Sequence, residues 1–241
     1  MSQSLGDSAA KNKGRKMKVN ANFDERAVVH SEKTPWVPSP MKGVDRRMLD
    51  RIGAEVARAT SIVRYAPGSS FSAHSHTGGE EFLVLDGVFQ DEHGDFPVGT
   101  YVRNPPTTSH TPSSALGTTI FVKLWQFDMA DRHQIVIDTQ GQTPKRVRDG
   151  VSEIPLFHDS RERVRIEVWD AGAIIAESGH GGFEALVIQG SFTEGGEVFS
   201  ANSWLRLPPH ADLSAVAGDA GARVWIKSGH LTVTPTTPVA G

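Results

Sequence analysis

Three histidines and one glutamate are the residues of this 241-residue sequence whose types and spacing best support chemistry. His74, His76 and Glu80 lie in a segment that reads G-x5-H-x-H-x3-E-x6-G, and His110 follows thirty residues later. Side chains two residues apart in a strand project from the same face, with Cα atoms about 6.5–7 Å apart. Two imidazoles at that separation can tilt toward one ion.

Glu80 and His110 can complete such a site. The glycine pair Gly78-Gly79 lets the chain turn before Glu80, so its carboxylate can approach the two imidazoles. His110 can supply a fourth group. The spacing therefore predicts a mononuclear metal site on His74, His76, Glu80 and His110, and the alternative is a hydrogen-bonded cluster of core histidines.

The elements that must position these residues read as short strands. β-Branched and aromatic runs alternate with Gly, Pro, Asp and Asn, a pattern that favours an all-β sandwich or barrel. Examples are Glu81 to Phe89, Thr119 to Phe127, Glu184 to Phe192 and Arg223 to Ile226. Val44 to Arg58 is the one segment with some helical character, and Gly43 and Gly53 weigh against a helix there.

The sequence also contains an internal repeat. Adding 103 to each number from 78 to 110 aligns the segment with residues 181–213 and gives 11 identities in 33 positions. About two are expected from composition, so the pattern indicates duplication of one small β unit. We therefore expect a disordered tail at 1–16, an N-terminal domain at 17–137, a linker at 138–152, a C-terminal domain at 153–232 and a second tail at 233–241. Met1 and Met17 are both possible starts.

Composition excludes several classes of function. The chain has no Cys, so thiolate metal sites, disulfides and a cysteine nucleophile are excluded. The formal charge of −3 gives no electrostatic footprint for nucleic acid or anionic membranes. No apolar run approaches the roughly 18 residues that cross a bilayer, and no apolar signal core is present. We expect a cytoplasmic protein whose partners are small molecules or other proteins.

The stretch from Gly68 to Gly87 matches the first cupin motif, and Gly94 to Tyr101 with Pro105 and His110 matches a variant of the second. The run GGEEFLVLDGVFQDEHGDFPVGTYVRNPP more narrowly resembles the cupin-like domain of ChrR-type anti-sigma factors. The resemblance implies two tandem double-stranded jelly-roll β-barrels, a bicupin. It also implies one metal ion on three His and one Glu in the first barrel, and a homodimer.

The sequence departs from that family in two respects. ChrR-type factors carry an N-terminal sigma-binding domain whose zinc is held partly by Cys, and this chain has no Cys. In the second copy, the offset replaces the four ligand positions with Glu177, Gly179, Phe183 and Leu213. We therefore expect a metal-free second barrel. His93, His180 and His210 are expected at the surface, and His230 at a strand end.

Residues near the site follow from alternation along the strands. Phe82 shares the parity of Glu80, and we expect Phe82, Tyr101, Trp125 and Gln126 to line the pocket, with core packing as the alternative. Glu81 points the other way. Because Glu81 and Arg103 recur as Glu184 and Arg206 in the metal-free copy, we expect structural roles for them.

Two functions remain open. One divalent ion per chain, Zn, Fe, Mn or Ni, would keep open coordination positions on this ligand set. The first hypothesis is dioxygenase-like chemistry on a small carbonyl compound. The alternative is a non-catalytic metal-dependent sensor or binding module related to ChrR-type factors. The sequence does not choose between them.

Overall fold

The computed structural model describes residues 17–54 and 56–232. The two predicted tails, 1–16 and 233–241, lie outside the described residues. Strands dominate, and the one helical element in these ranges is a short 3₁₀ helix, Ser31–Lys33. Within the same ranges, no helix has the length and apolar character needed to cross a lipid bilayer. The expected all-β class is confirmed.

Twenty-two strands make up the described chain. The strands up to residue 138 are β1 (Met17–Val19), β2 (Ala27–His30), β3 (Val37–Pro38), β4 (Val44–Gly53), β5 (Ala57–Tyr65), β6 (Ser69–Ser70), β7 (His74–Ser75), β8 (Glu80–Asp91), β9 (Gly94–Pro97), β10 (Thr100–Asn104), β11 (Ser109–His110), β12 (Ser113–Ser114), β13 (Thr118–Leu124) and β14 (Ile135–Asp138). The remaining strands are β15 (Lys145–Arg148), β16 (Val151–His158), β17 (Arg163–Trp169), β18 (Ile174–Glu177), β19 (Phe183–Glu194), β20 (Glu197–Ser200), β21 (Ser203–Leu207) and β22 (Leu213–Ser228).

The strand order repeats between the two halves. The larger first-half sheet runs β1-β4-β5-β13-β8-β10-β14, and the second-half sheet runs β15-β16-β17-β22-β19-β21-β2. A separate two-stranded sheet pairs β7 with β11. Each position of one path has its counterpart in the other, so the predicted duplication is visible in the topology. Strand β2 leaves the first half and completes the second sheet on β21, which the sequence did not indicate.

Two local expectations differ from the structure. The segment with helical character forms β4 and the first residues of β5. Strand β4 pairs with β5 over its whole length, and Asp45 contacts Arg64 of β5 at 2.8 Å. The expected linker contains β15, an edge strand on β16. All four residues of β15 are exposed, so it lacks the hydrophobic alternation that marks a half-buried strand. The domain boundaries themselves stay a prediction.

Apolar side chains form three clusters. One fills the first barrel and includes Phe82, Phe89 and Val122. A second, larger cluster fills the second barrel. The third joins the halves, and in it the ring centroids of Phe121 and Trp225 lie 4.8 Å apart. The halves therefore pack through the outer faces of their sheets.

Two crossed ion pairs lie within the junction of the halves. Lys227 of the second half contacts Glu81 of the first at 2.6 Å, and Lys123 of the first contacts Glu184 of the second at 2.6 Å. All four side chains are buried, and Glu162 also contacts Lys227 at 2.9 Å. Opposite charges hold the pKa of Glu81 and that of Glu184 below the ordinary value despite burial. The structural role expected for Glu81 and its counterpart agrees with these contacts.

Arg103 and Arg206 serve the same junction. Arg103 donates to Asp131 at 2.6 Å and to Glu162, in the second half, at 3.0 Å. Its counterpart Arg206 donates to Asp50, in the first half, at 3.2 Å. Each arginine thus spans the two halves, as expected for a structural residue.

Candidate metal centre

The four predicted ligands come from three segments of the first half of the chain. Strand β7 carries His74, β11 carries His110, and the two residues face each other directly in the antiparallel pair. His76 follows β7 and is held to the β11 side by its amide, which donates to the Thr108 carbonyl at 2.8 Å. Glu80 is the first residue of β8. The four side chains therefore converge from three separate segments of the chain.

The ligand atoms of these four side chains all lie within 4.8 Å of one another. The Nε2 atoms of His76 and His110 are 3.2 Å apart. Glu80 Oε2 lies 3.3 Å from the first and 3.6 Å from the second. His76, Glu80 and His110 are buried, whereas His74 is exposed, so the cluster opens to solvent on the His74 side.

Thr108 fixes the tautomer of His76. The Thr108 hydroxyl donates to the Pro105 carbonyl at 2.8 Å, so its lone pair faces His76 Nδ1 at 2.9 Å and accepts a hydrogen bond from it. The proton of a neutral imidazole is then on Nδ1. The Nε2 lone pair is left to face the cluster, as a metal ligand requires.

Asp91 does the same for His110. Its Oδ2 lies 3.1 Å from His110 Nδ1 and accepts that N–H. Two Nε2 lone pairs, on His76 and His110, thus face each other at 3.2 Å with a carboxylate oxygen beside them. Such an arrangement is repulsive unless a cation or a proton lies among the lone pairs.

Burial sets the protonation of the group. It lowers the pKa of His76 to about 3 and that of His110 to about 4, and the neighbouring histidines add to the effect. Both imidazoles are therefore neutral near pH 7. Burial raises the pKa of Glu80 to about 7, although a hydrogen bond from Asn104 favours its charged form. A neutral histidine set with one carboxylate is the donor set that divalent transition metals take.

Glu80 Oε2 provides the test of fit. It is buried and has no hydrogen-bond partner among the described residues. An orphaned carboxylate oxygen costs free energy unless something positive binds it. The residues present therefore fit a divalent cation.

Solved structures with a similar fold support the architecture described for the chain that carries this cluster. The chain is similar to a candidate dioxygenase from Nostoc punctiforme, with 12% identity, a TM-score of 0.72 and coverage of 90% of this chain and 87% of that one. It is also similar to the pirin YhhW from Escherichia coli in complex with nickel(II), with 14% identity, a TM-score of 0.61 and coverage of 85% and 98%. A third is oxalate decarboxylase from Bacillus subtilis, studied for its Mn(II) centres, with 12% identity, a TM-score of 0.57 and coverage of 86% and 78%.

Residues 24–128 match the model of the ChrR cupin-like domain. Residues 24–128 therefore form a cupin-like domain, and the similarity to solved structures extends the cupin fold over most of the chain. No curated protein sequence matches it. The expected architecture of two tandem cupin barrels is thereby confirmed, and the match to the ChrR cupin-like domain falls on the half that carries the metal-type cluster.

Two of the expected pocket residues, Phe82 and Trp125, lie near the metal-type cluster of three histidines and Glu80. Phe82 is buried inside the first barrel and packs on Phe89, at 4.7 Å between ring centroids, and Phe89 in turn packs on His110 at 5.7 Å. Trp125 packs against Gly78, where an added Cβ would fall 2.2 Å from the indole. Gly78 lies in the turn between the second and third ligands, so Trp125 covers that turn.

The other two, Tyr101 and Gln126, contact partners outside the four-residue cluster, and their place in a pocket stays a prediction. Tyr101 pairs with Leu83, so it shares the face that meets the second half, and its hydroxyl donates to Glu81 at 2.7 Å. Gln126 donates to the Ala59 carbonyl at 3.0 Å. Parity along one strand could not place a residue on another strand, because a register shift of one residue reverses the face.

Three residues that hydrogen-bond to the clustered side chains were not predicted from the sequence: Asp91, Asn104 and Thr108. A signal for two of them was present. The repeat places Leu207 opposite Asn104 and Ala211 opposite Thr108, so these polar residues are lost together with the ligands in the second copy.

The second cupin barrel has hydrocarbon where the first has ligands. Phe183 and Leu213 belong to its apolar core. Glu177 pairs with Leu213 in the sheet as His74 pairs with His110, which verifies the offset, and its carboxylate accepts a hydrogen bond from Arg165. The four substituted positions therefore offer no convergent donor set.

The remaining histidines follow expectation. His93, His180 and His210 are exposed. His230 lies just beyond the end of β22, where its Nε2 contacts Glu184 at 2.6 Å.

Proposed function

We propose that this bicupin binds one divalent metal ion on His74, His76, Glu80 and His110 and oxidises a small carbonyl compound with O2. The observation that carries the proposal is the convergence of two oriented Nε2 lone pairs on a buried carboxylate oxygen without a partner. The exposed position of His74 leaves one side of the cluster accessible to a substrate.

A ferrous ion bound here would supply adjacent open positions for O2 and a chelating substrate, whereas zinc would supply Lewis acidity. Zn, Fe, Mn and Ni remain the candidates. Two neighbours in the structural comparison are named with nickel(II) and Mn(II), which supports a transition metal rather than a magnesium-type site.

The chain's own residues prepare the site. Thr108 and Asp91 keep the Nδ1 protons of His76 and His110 in place, so both rings hold their orientation without a ligand. Phe89 lies against His110 and excludes water from the inner side of the cluster. Glu80 supplies the negative charge, and Asn104 orients it.

A β-diketone is the substrate type that tests the proposal, since its two carbonyl oxygens can chelate one ion. Both atoms of O2 enter the products: one C–C bond beside a carbonyl breaks, two C–O bonds form, and the products are a carboxylic acid and a 2-oxoaldehyde or diketone. The reaction consumes no external reductant. The candidate dioxygenase among the structural neighbours supports this reaction class.

The test is oxygen uptake by iron-loaded protein on a panel of β-diketones, with incorporation of labelled O2 followed by mass spectrometry. His110→Ala is the control that removes a ligand, and His93→Ala, at an exposed histidine, is the matched control that does not. Substrate-dependent uptake that His110→Ala abolishes supports the enzyme. Inactivity of a protein that holds zinc tightly contradicts it.

The match to the ChrR cupin-like domain favours a second candidate, a non-catalytic metal-dependent sensor or binding module. This role predicts a change in conformation or ligand affinity on metal loading or exposure to oxidant, and no turnover. The cytoplasmic location, the small-molecule ligand and the homodimer stay predictions.

A further inference from the structure

A groove of about 420 Å³ lies where the two barrels meet, and its lining includes none of the four clustered residues. Leu85, Val98 and Gln140 come from the first half, and Ile188, Gln189 and Arg223 from the second. Leu85 stands five residues after Glu80, about 16 Å along an extended strand. The groove is thus separate from the metal-type cluster.

Arg223 is the charged residue of this groove. It is half-buried, and its Nη2 donates to the Thr139 carbonyl at 3.0 Å and lies 3.4 Å from the Thr139 hydroxyl. The described lining residues include no carboxylate. Burial lowers the pKa of Arg223, and no nearby negative charge offsets that effect. A half-buried guanidinium without a counter-charge is an unfavourable arrangement that an anion would relieve.

The internal repeat supplies a comparison within the same molecule. A second groove, of about 340 Å³, is also lined by Leu85 and Ile188. These two residues are counterparts at the offset of 103, and the strand register shifts at each of them. The bulges turn both side chains into the junction, so the two grooves are mates related by the duplication.

The mates differ in charge at one cross-strand pair. In the second groove, Asp86 faces Thr119. At the counterpart positions, Gln189 faces Arg223. The first groove has therefore lost an acid and gained a cation relative to its mate.

Cations in the mate groove are partnered by the chain itself. Arg47 contacts Glu32 at 3.3 Å, and Arg64 contacts Asp45 at 2.8 Å. Both guanidinium groups also stack over Trp36, at 4.3 and 4.4 Å. Among the described residues that line the two grooves, Arg223 is the one cation without a carboxylate partner from the chain, so it can pair with a ligand from solution.

We propose that the Arg223 groove binds a small organic carboxylate. The guanidinium pairs with the carboxylate, and the Gln140 and Gln189 amides, at the rim, hydrogen-bond its oxygens. Leu85, Val98 and Ile188 contact the hydrocarbon part of the ligand. A purely inorganic anion would leave these apolar walls without a partner, so the groove favours a ligand with one charged and one apolar end.

The wall that carries Thr139 is rigid enough to hold such a ligand. The Thr139 hydroxyl donates to the Gly99 carbonyl at 2.7 Å, and its amide donates to the same carbonyl at 3.1 Å. Gly99 has a φ of +85°, and a Cβ there would fall 2.5 Å from the Gln140 side chain. This glycine therefore lets Gln140 lie flat against the groove wall.

The probe is hexanoate, and hexanamide is its neutral counterpart. Both are titrated calorimetrically into the full chain freed of metal by a chelator, so that no metal ion can bind the carboxylate. The variants are Arg223→Gln, which removes the cation, and Gln189→Glu, which gives Arg223 a partner within the chain. Arg64→Gln, in the mate groove, is the matched loss of one positive charge.

The expected result is that hexanoate binds and hexanamide binds at least about tenfold more weakly, as loss of a charged hydrogen bond implies. Arg223→Gln and Gln189→Glu should each weaken hexanoate by at least about tenfold, and Arg64→Gln should leave it unchanged. Equal binding of the acid and the amide overturns the proposal, as does binding that survives both groove variants. The metal cluster takes no part in this titration, so failure here does not bear on the proposed oxidation.

Discussion

Glu184 is the single carboxylate that contacts the Lys123 ammonium within the part of the chain that the structure describes. Lys227, the counterpart of Lys123, contacts two carboxylates, Glu81 and Glu162. Replacing Glu184 by Gln keeps the size of the side chain but leaves a buried ammonium without a counter-charge. Removing one partner of a buried ion pair costs about 3–5 kcal/mol of unfolding free energy.

Glu81→Gln is the matched comparison. Lys227 keeps its contact with Glu162 at 2.9 Å, so the expected cost is that of one charged hydrogen bond, about 1.5–3 kcal/mol. For a chain of this size, each kcal/mol lowers Tm by about 2–4 °C. Glu184→Gln should therefore lower Tm by about 6–20 °C, and Glu81→Gln by clearly less.

The assay is urea unfolding and calorimetry with a chelator present, so that metal binding does not add to the stability of the folded state. A third variant, Lys123→Met combined with Glu184→Gln, removes the orphaned charge and should recover at least half of the loss. If Glu184→Gln costs no more than Glu81→Gln, the orphaned ammonium is not the source of the loss. The same conclusion follows if the double variant is no more stable than Glu184→Gln.

Three further predictions concern the site, the second barrel and pH. Thr108→Val should weaken metal affinity about 10–100-fold, because His76 loses the acceptor that fixes its tautomer. Thr108→Ser keeps that acceptor and should retain the affinity. Competition with a chromophoric chelator measures the affinity of both variants. Phe183→Ala should lower the unfolding free energy by about 3–5 kcal/mol and leave metal stoichiometry, measured by mass spectrometry, at its original value. The pKa of His230 lies below its ordinary value of 6.5, chiefly through burial. As the pH falls, this imidazole therefore takes up a proton at a higher pH in the unfolded chain than in the folded chain. The unfolding free energy of wild type should therefore fall relative to His230→Gln as the pH drops below about 6.5, and urea unfolding at several pH values would show a constant difference if this is incorrect.

Part of the inference that grouped the four clustered side chains is short-range, although His110 lies 30 residues beyond Glu80. His74 and His76 share a face through the strand period, and the repeat identified the positions where ligands were lost. The all-β fold class could be predicted because Gly, Pro, Asp and Asn separate the short β-branched and aromatic runs. Strand β2 was beyond reach, since four residues carry no information about which of two sheets they will join.

Tyr101 shows the limit of sequence reasoning in physical terms. Its strand could be predicted, but its face depends on the register between β10 and β8, which is set by distant hydrogen bonds. Asp91 and Thr108 were missed for a related reason. Each acts on a histidine that lies near it in space, and Asp91 is 19 residues from its partner. Only the folded sheet brings them within reach.

Strand β8 shows how both halves share one junction although the second barrel lacks the counterpart of the His-His-Glu-His cluster. Its alternate residues serve two purposes: Glu80 and Phe82 face the interior of the first barrel, whereas Glu81 and Leu83 face the second half. The residue next to the metal-type carboxylate is thus fixed by Lys227 of the other barrel. The strand that carries Glu80 therefore also serves the junction, whereas the matching interior positions of the second barrel are apolar. Within the described residues, the His-His-Glu-His cluster occurs in one copy of the repeat, whereas the junction ion pairs of Glu81 and its counterpart Glu184 occur in both.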